Sequence, residues 1–141
     1  MGFSLSAAFA ILGISILISI EIFSANIFPA IDNYDNSNSD MIIRYTNKLE
    51  TGINITDVNV TANLTNYDYN ITIKNTGNIV LDTSKIDILI NGYYEEFQCM
   101  DRYILPLIQS NFIFRNLDYS GNIRFKVITG NGIEDYMNIM V

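Results

Sequence analysis

The sequence predicts two objects joined end to end, a single transmembrane α-helix in residues 3–28 and an all-β sandwich in residues 53–141, with residues 29–52 between them as stalk or linker. Three observations carry this. The eighteen residues from Phe3 to Ile20 hold no charge. From Ile53 the apolar residues switch to a period of two, and Asn-Gly turns then recur down to the C-terminus. One core is the ceiling for 141 residues, and 49% hydrophobic against 16% charged content places the chain outside the disordered class.

In the first thirty-one residues Glu21 is the one ionisable side chain, and apolar character resumes after it at Ile22, Phe23, Ile27, Phe28 and Ile31. At ~1.5 Å per residue, residues 3–28 are long enough to cross a ~30 Å hydrocarbon core with some tilt. A cleaved secretory signal fits less well. Met1 and Gly2 bring no basic side chain, and Phe23 and Phe28 do not suit the third position before a cut at Ala25 or Ala30. The first basic residue is Arg44, whereas Asp32, Asp35 and Asp40 follow the helix. With little for the positive-inside rule to act on, a short N-terminus inside and a large polar domain outside the cytoplasmic membrane is the economical orientation. Within the segment Ser4, Ala8, Ser15 and Ser19 fall on one helical face, as in small-xxx-small packing, although Ser and Ala are ordinary in membrane helices.

Residues 32–40 read Asp-Asn-Tyr-Asp-Asn-Ser-Asn-Ser-Asp, rich in oxygen ligands but without the Gly that a compact calcium loop needs. A polar linker is a second reading. The third is helical: Ile31, Tyr34, Met41, Tyr45 and Leu49 make a stripe that Thr51-Gly52 would end, extending the helix into a stalk.

In the sandwich Val58, Val60, Ala62 and Leu64 alternate with Asn59, Thr61 and Asn63. Tyr69, Ile71 and Ile73, then Ile86, Ile88 and Ile90, and later Ile123, Phe125 and Val127 repeat the pattern, with a short strand at Phe112 and Phe114. Asn75-Thr76-Gly77, Asn91-Gly92 and Asn131-Gly132 are expected to supply the positive φ angles of tight turns. Seven or eight short strands with no helical crossover argue for a sandwich over a parallel fold.

No His, no Trp and a single Cys99 remove Ser/His triads, Cys/His zinc sites and an internal disulfide, so neither catalytic nor cofactor- or metal-binding residues are assigned. Cys99 reads as a small core residue. Glu95, Glu96 and Asp101 are the densest carboxylates, but on a strand Glu95 and Glu96 point to opposite faces. Eight basic against fifteen acidic side chains give −7, which repels nucleic acid. Four N-x-Thr sequons begin at Asn54, Asn59, Asn63 and Asn70, candidate N-glycosylation sites if they reach an extracytoplasmic transferase. Tyr93, Tyr94 and Phe97 are candidate partner-contact aromatics, with core packing as the alternative. Met137, Ile139 and Val141 form a C-terminal edge run through which a second copy would pair to give a homodimer.

The opening Met-Gly-Phe-Ser-Leu-Ser-Ala-Ala, the turn Lys-Asn-Thr-Gly-Asn-Ile-Val-Leu at 74–81, the hairpin 85–92 and the closing segment 126–136 together resemble the archaellar protein F family, accessory proteins of the archaeal flagellum. The sister protein G family is the second choice, and archaellins are similar in plan. The resemblance implies an immunoglobulin-like β-sandwich held outside the cytoplasmic membrane beneath the surface layer. It further implies binding to surface-layer protein as a stationary element of the motor, in company with archaellar protein G. The alternatives are a pilin-like or archaellin-like filament subunit and a generic extracellular binding module. Filament subunits are processed by a peptidase that reads a basic residue before a Gly, whereas only Met1 precedes Gly2 here.

Overall fold

The computed structural model describes residues 2–141, with side chains described from Leu5 onward. It divides into two compact units, Met1–Ile43 and Arg44–Val141. The first unit is helical from Gly2, and the helix α1 continues unbroken through Gly2–Glu50, 49 residues or about 74 Å at the usual rise. Residues 32–40 are therefore helix, neither a linker nor a calcium loop. Asn and Ser are modest helix formers, but each costs only about 0.5 kcal/mol once a helix is nucleated, and the flanking apolar turns supply the nucleus. Pro29 lies inside α1, where its missing N–H removes one intrahelical bond.

In the second unit the strands are β1 Ile53–Asn63, β2 Asn66–Asn75, β3 Leu81–Asp82, β4 Asp87–Ile90, β5 Tyr93–Tyr94, β6 Gln98–Cys99, β7 Tyr103–Ile104, β8 Gln109–Leu117, β9 Asn122–Ile128 and β10 Glu134–Met140. They form two four-stranded antiparallel sheets, β1-β2-β8-β6 and β10-β9-β4-β5, plus the small pair β3-β7. The alternation read from the sequence is the alternation of burial in β2, β4, β8 and β9, whereas in β1 it fails at the far end, where Ala62 is exposed and Leu64 lies fully exposed in the turn. Ile71, Ile73, Phe112 and Phe114 of the first sheet and Ile88, Ile90, Ile123 and Val127 of the second are all buried. Tyr69 and Phe125 join the sheets, their ring centroids 5.7 Å apart, and the Tyr69 hydroxyl donates to the Tyr119 carbonyl at 2.5 Å.

β1 contains a register shift between Ile55 and Asp57. The extra residue moves the phase by one, so Ile53 and Ile55 are buried ahead of it while Val58 and Val60 pack against the core after it. Without a bulge one of these pairs would face water. The turns differ in kind. Asn91 and Gly92, at φ 53° and 90°, make the two-residue connection of β4 and β5 as expected. Gly132, at φ 76°, sits in a longer connection closed by the Thr129 N–H to the Ile133 carbonyl at 2.8 Å. Gly77 is a correction: its φ is not positive, and glycine is required there for space.

Candidate functional site

Several hydrogen bonds outside the regular helix and strand ladders gather at the end of α1. Thr76 and Gly77 both donate their N–H to the Gly52 carbonyl, at 2.9 and 3.2 Å, and Asn78 donates to the Glu50 carbonyl at 2.8 Å. Carbonyls that a helix terminus leaves orphaned are thereby satisfied by a sandwich loop. A Cβ on Gly77 would overlap the Glu50 carbonyl oxygen and the Gly52 nitrogen, so the turn lies directly against the backbone of residues 50–52. Asn75 holds that turn in place. Fully buried, it donates through Nδ2 to the carbonyls of Ile79 at 2.7 Å and Ile104 at 2.9 Å, and its Oδ1 accepts from the Gly77 N–H at 3.0 Å. On the other side Asn131 Nδ2 donates to Thr51 Oγ1 at 2.8 Å, and Thr51 Oγ1 donates to the Asn47 carbonyl at 2.6 Å. The sequence pattern of Asn75-Thr76-Gly77 predicts a tight turn and on its own carries nothing of this junction. A signal was present: the Thr-Gly dipeptides 51–52 and 76–77 meet at the helix end, and Asn131 bonds to Thr51 from a third loop.

A cleft of about 310 Å³ opens beside the junction, lined in part by Asn47, Asp82, Lys85 and Asn131. Its carboxylate is already engaged: hydrogen bonds from the Ser84 hydroxyl and N–H hold Asp82 below the usual carboxylate range. The other carboxylates do not converge either. Glu95 accepts from the Tyr119 hydroxyl at 2.7 Å, which pushes Tyr119 up to about 12, and Asp101 accepts from Ser110 at 2.7 Å. Cys99 is half-buried, with Sγ 3.3 Å from Ser110 Oγ. Among the described residues no three His, Cys, Asp or Glu side chains are placed to hold a metal ion.

In α1 the apolar side chains from Leu5 to Ile31 are exposed all round, with a mean hydropathy of 2.2 over the best 18-residue window and none of that window buried. The helix is long and apolar enough to cross a membrane. Of the small-residue face, Ala8, Ser15 and Ser19 are exposed, and the side chain of Ser4 lies outside the described residues. Ser15 Oγ donates to the Ile11 carbonyl at 2.6 Å and Ser19 Oγ to the Ser15 carbonyl at 2.7 Å. Both hydroxyls are thus satisfied within the helix and need no second helix to enter lipid.

The outer faces of the two sheets are chemically unlike. The first carries Asn54 and Asn59, both exposed, and the half-buried Asn70 opposite Asn59, while Asn63 ends β1 at the hairpin tip. Across the second runs a register row of Tyr136, Lys126, Leu89 and Tyr94. There the Arg124 guanidinium lies 4.5 Å from the Tyr136 ring centroid, and Lys126 pairs with Glu134 at 2.6 Å. Hydrogen bonding to Lys126, then to Tyr136, lowers the Glu134 pKa, and its bond to Glu134 raises that of Lys126. Tyr93 and Tyr94 are exposed, but Phe97 turns inward and packs edge-on against Phe112 at 5.0 Å. The three aromatics therefore do not form one surface. Met137, Ile139 and Val141 are half-buried against the core, and the start of their strand is tied to β1 by the Ile55 N–H, which donates to Asp135 Oδ2 at 2.7 Å.

Neither a protein-family model nor a curated protein matches the sequence. Among solved structures, the chain is similar to the archaellum periplasmic stator protein FlaG from Sulfolobus acidocaldarius, at a TM-score of 0.51 and 14% identity, over 63% of this chain and 99% of that one. At this identity the likeness is one of fold over the part that is covered, and this chain's own architecture is a long apolar N-terminal helix followed by antiparallel β-sheets.

Proposed function

We propose that this chain is a non-enzymatic structural component of the archaeal flagellum, the archaellum. In this reading α1 anchors it in the cytoplasmic membrane and the sandwich, outside that membrane, binds the surface layer as a stator-like element. The observation that carries the proposal is the fold shared with a protein described as a periplasmic stator, a likeness spanning nearly the whole of that protein. The apolar helix, exposed on every side, supports the anchor, since lipid is the surrounding that such a surface requires. A helix alone turns freely in fluid lipid, so a stationary element needs a second attachment and a stiff connection to it. The bonds from Thr76, Gly77, Asn78 and Asn131 to residues 50–52 are suited to that connection, because torque at the helix end would load them together. Archaellar protein G is the companion this role implies.

Co-sedimentation of residues 44–141 with isolated surface-layer sheets, over several pH and salt conditions, tests the proposal. Retention with the sheets is expected; a sandwich that stays in the supernatant in every condition rejects surface-layer binding. The exposed apolar helix would equally suit a filament subunit. N-terminal sequencing separates the two readings, because a filament subunit would be recovered cleaved and in sheared filaments.

A further inference from the structure

We infer that Asn63 is the acceptor of an N-linked glycan, transferred from a lipid-linked oligosaccharide phosphate, and that it is preferred over the other three sequons. The inference rests on the proposed placement of the sandwich outside the membrane. In the transfer the Asn63 Nδ2–C1 bond forms as the sugar's C1–O bond to phosphate breaks; the lipid phosphate leaves with the bonding pair and the amide nitrogen gives up one proton. Such chemistry needs an amide and a hydroxyl two residues on that a transferase can reach together, on backbone that bends away from a sheet.

Asn63-Leu64-Thr65 has that form. It is the turn between β1 and β2, with Leu64 at φ 56° and fully exposed, and Asn63 is exposed with no side-chain hydrogen bond among the described residues. Thr65 makes one bond, a long 3.4 Å contact to Asn66 Oδ1 that is weak by distance. Each of the other sequons lies within a strand and has a side chain already engaged. The Thr56 hydroxyl of the Asn54 sequon donates to the Thr72 carbonyl at 3.1 Å, and Asn59 Nδ2 donates to Asp57 Oδ2 at 2.7 Å. Asn70 lies half-buried on β2, an interior strand, with Oδ1 buried, and its partner Thr72 donates to Asn111 Oδ1 at 2.9 Å.

The test uses full-length protein, wild type, Asn63→Gln and Asn70→Gln, extracted with detergent from the membranes of its own cells and mapped by peptide mass spectrometry. Protease accessibility of the sandwich is measured in parallel on intact cells. The expected result is an accessible sandwich with glycan mass on the Asn63 peptide, a mobility shift lost in Asn63→Gln and kept in Asn70→Gln. An accessible sandwich whose Asn63 peptide is bare, or whose glycan sits on Asn70 instead, overturns the inference and leaves the placement standing. A sandwich protected until lysis overturns the placement and the inference with it.

Discussion

Replacing Gly77 with Ala probes the junction at the place where it has least room. The added methyl would meet the Glu50 carbonyl oxygen, the Gly52 nitrogen and, at 2.9 Å, the Thr51 carbonyl carbon. All three are backbone atoms, so no side chain can swing aside, and either the helix end or the Thr76-Gly77 turn must move. Movement breaks the bonds from Thr76 and Gly77 to Gly52 and from Asn78 to Glu50. At about 1 kcal/mol net for each, the loss is about 3 kcal/mol. For a domain of this size that lowers Tm by roughly 15 °C. The assay is urea and thermal unfolding of residues 44–141 followed by circular dichroism, with Val80→Ala, an exposed position in the next loop, as a control expected within about 0.5 kcal/mol of wild type. A Gly77→Ala variant as stable as that control would refute the close approach, and with it the stiff junction.

Asn75→Ala is expected to cost about 2–3 kcal/mol in the same unfolding assay, because it strips partners from the buried Ile104 carbonyl and the part-buried Ile79 carbonyl and frees the Gly77 turn. Tyr119, raised from 10.0 to about 12 first by its bond to Glu95, is expected to titrate nearer 10.0 in Glu95→Gln, read by tyrosinate absorbance. Since the raised pKa belongs to the folded state, the stabilisation it brings is complete below about pH 10 and is lost as pH rises toward 12. Glu134 is lowered from 4.5 in the folded protein, so its contribution is present above that value and is lost as pH falls through the folded pKa. In Lys126→Met an NMR titration should show Glu134 rising toward 4.5, and no movement would mean that the ion pair is absent in solution.

Much of the architecture was legible because its cause is local. Ile86, Ile88 and Ile90 announce a strand face by spacing alone, and the positive φ at Asn91-Gly92 follows from residue type. The helical stripe through Tyr34, Met41, Tyr45 and Leu49 outweighed the Asn and Ser between them for a similarly local reason, the small cost of a poor former inside a nucleated helix. What was not legible depends on distant partners. The bulge after Ile55 hides the phase of β1, and Gly77 serves backbone some twenty-five residues earlier in the chain, a demand that a turn motif cannot express. Phe97 was grouped with Tyr93 and Tyr94 by proximity in sequence, but the backbone between them leaves the strand and sends its ring to Phe112. The carboxylates likewise find separate partners, Tyr119 and Ser110, which no spacing rule anticipates.

The account turns on a sandwich held outside the cell membrane by α1, and one labelling measurement addresses it. With Cys99 replaced by Ser, the chain has no other cysteine, and Met100, 98% exposed, becomes a reporter as Met100→Cys. A membrane-impermeant maleimide applied to intact cells should label this variant, and the labelled protein should stay in the membrane pellet through an alkaline wash. Labelling only after lysis, or release of the full-length protein into the soluble fraction, would contradict the account.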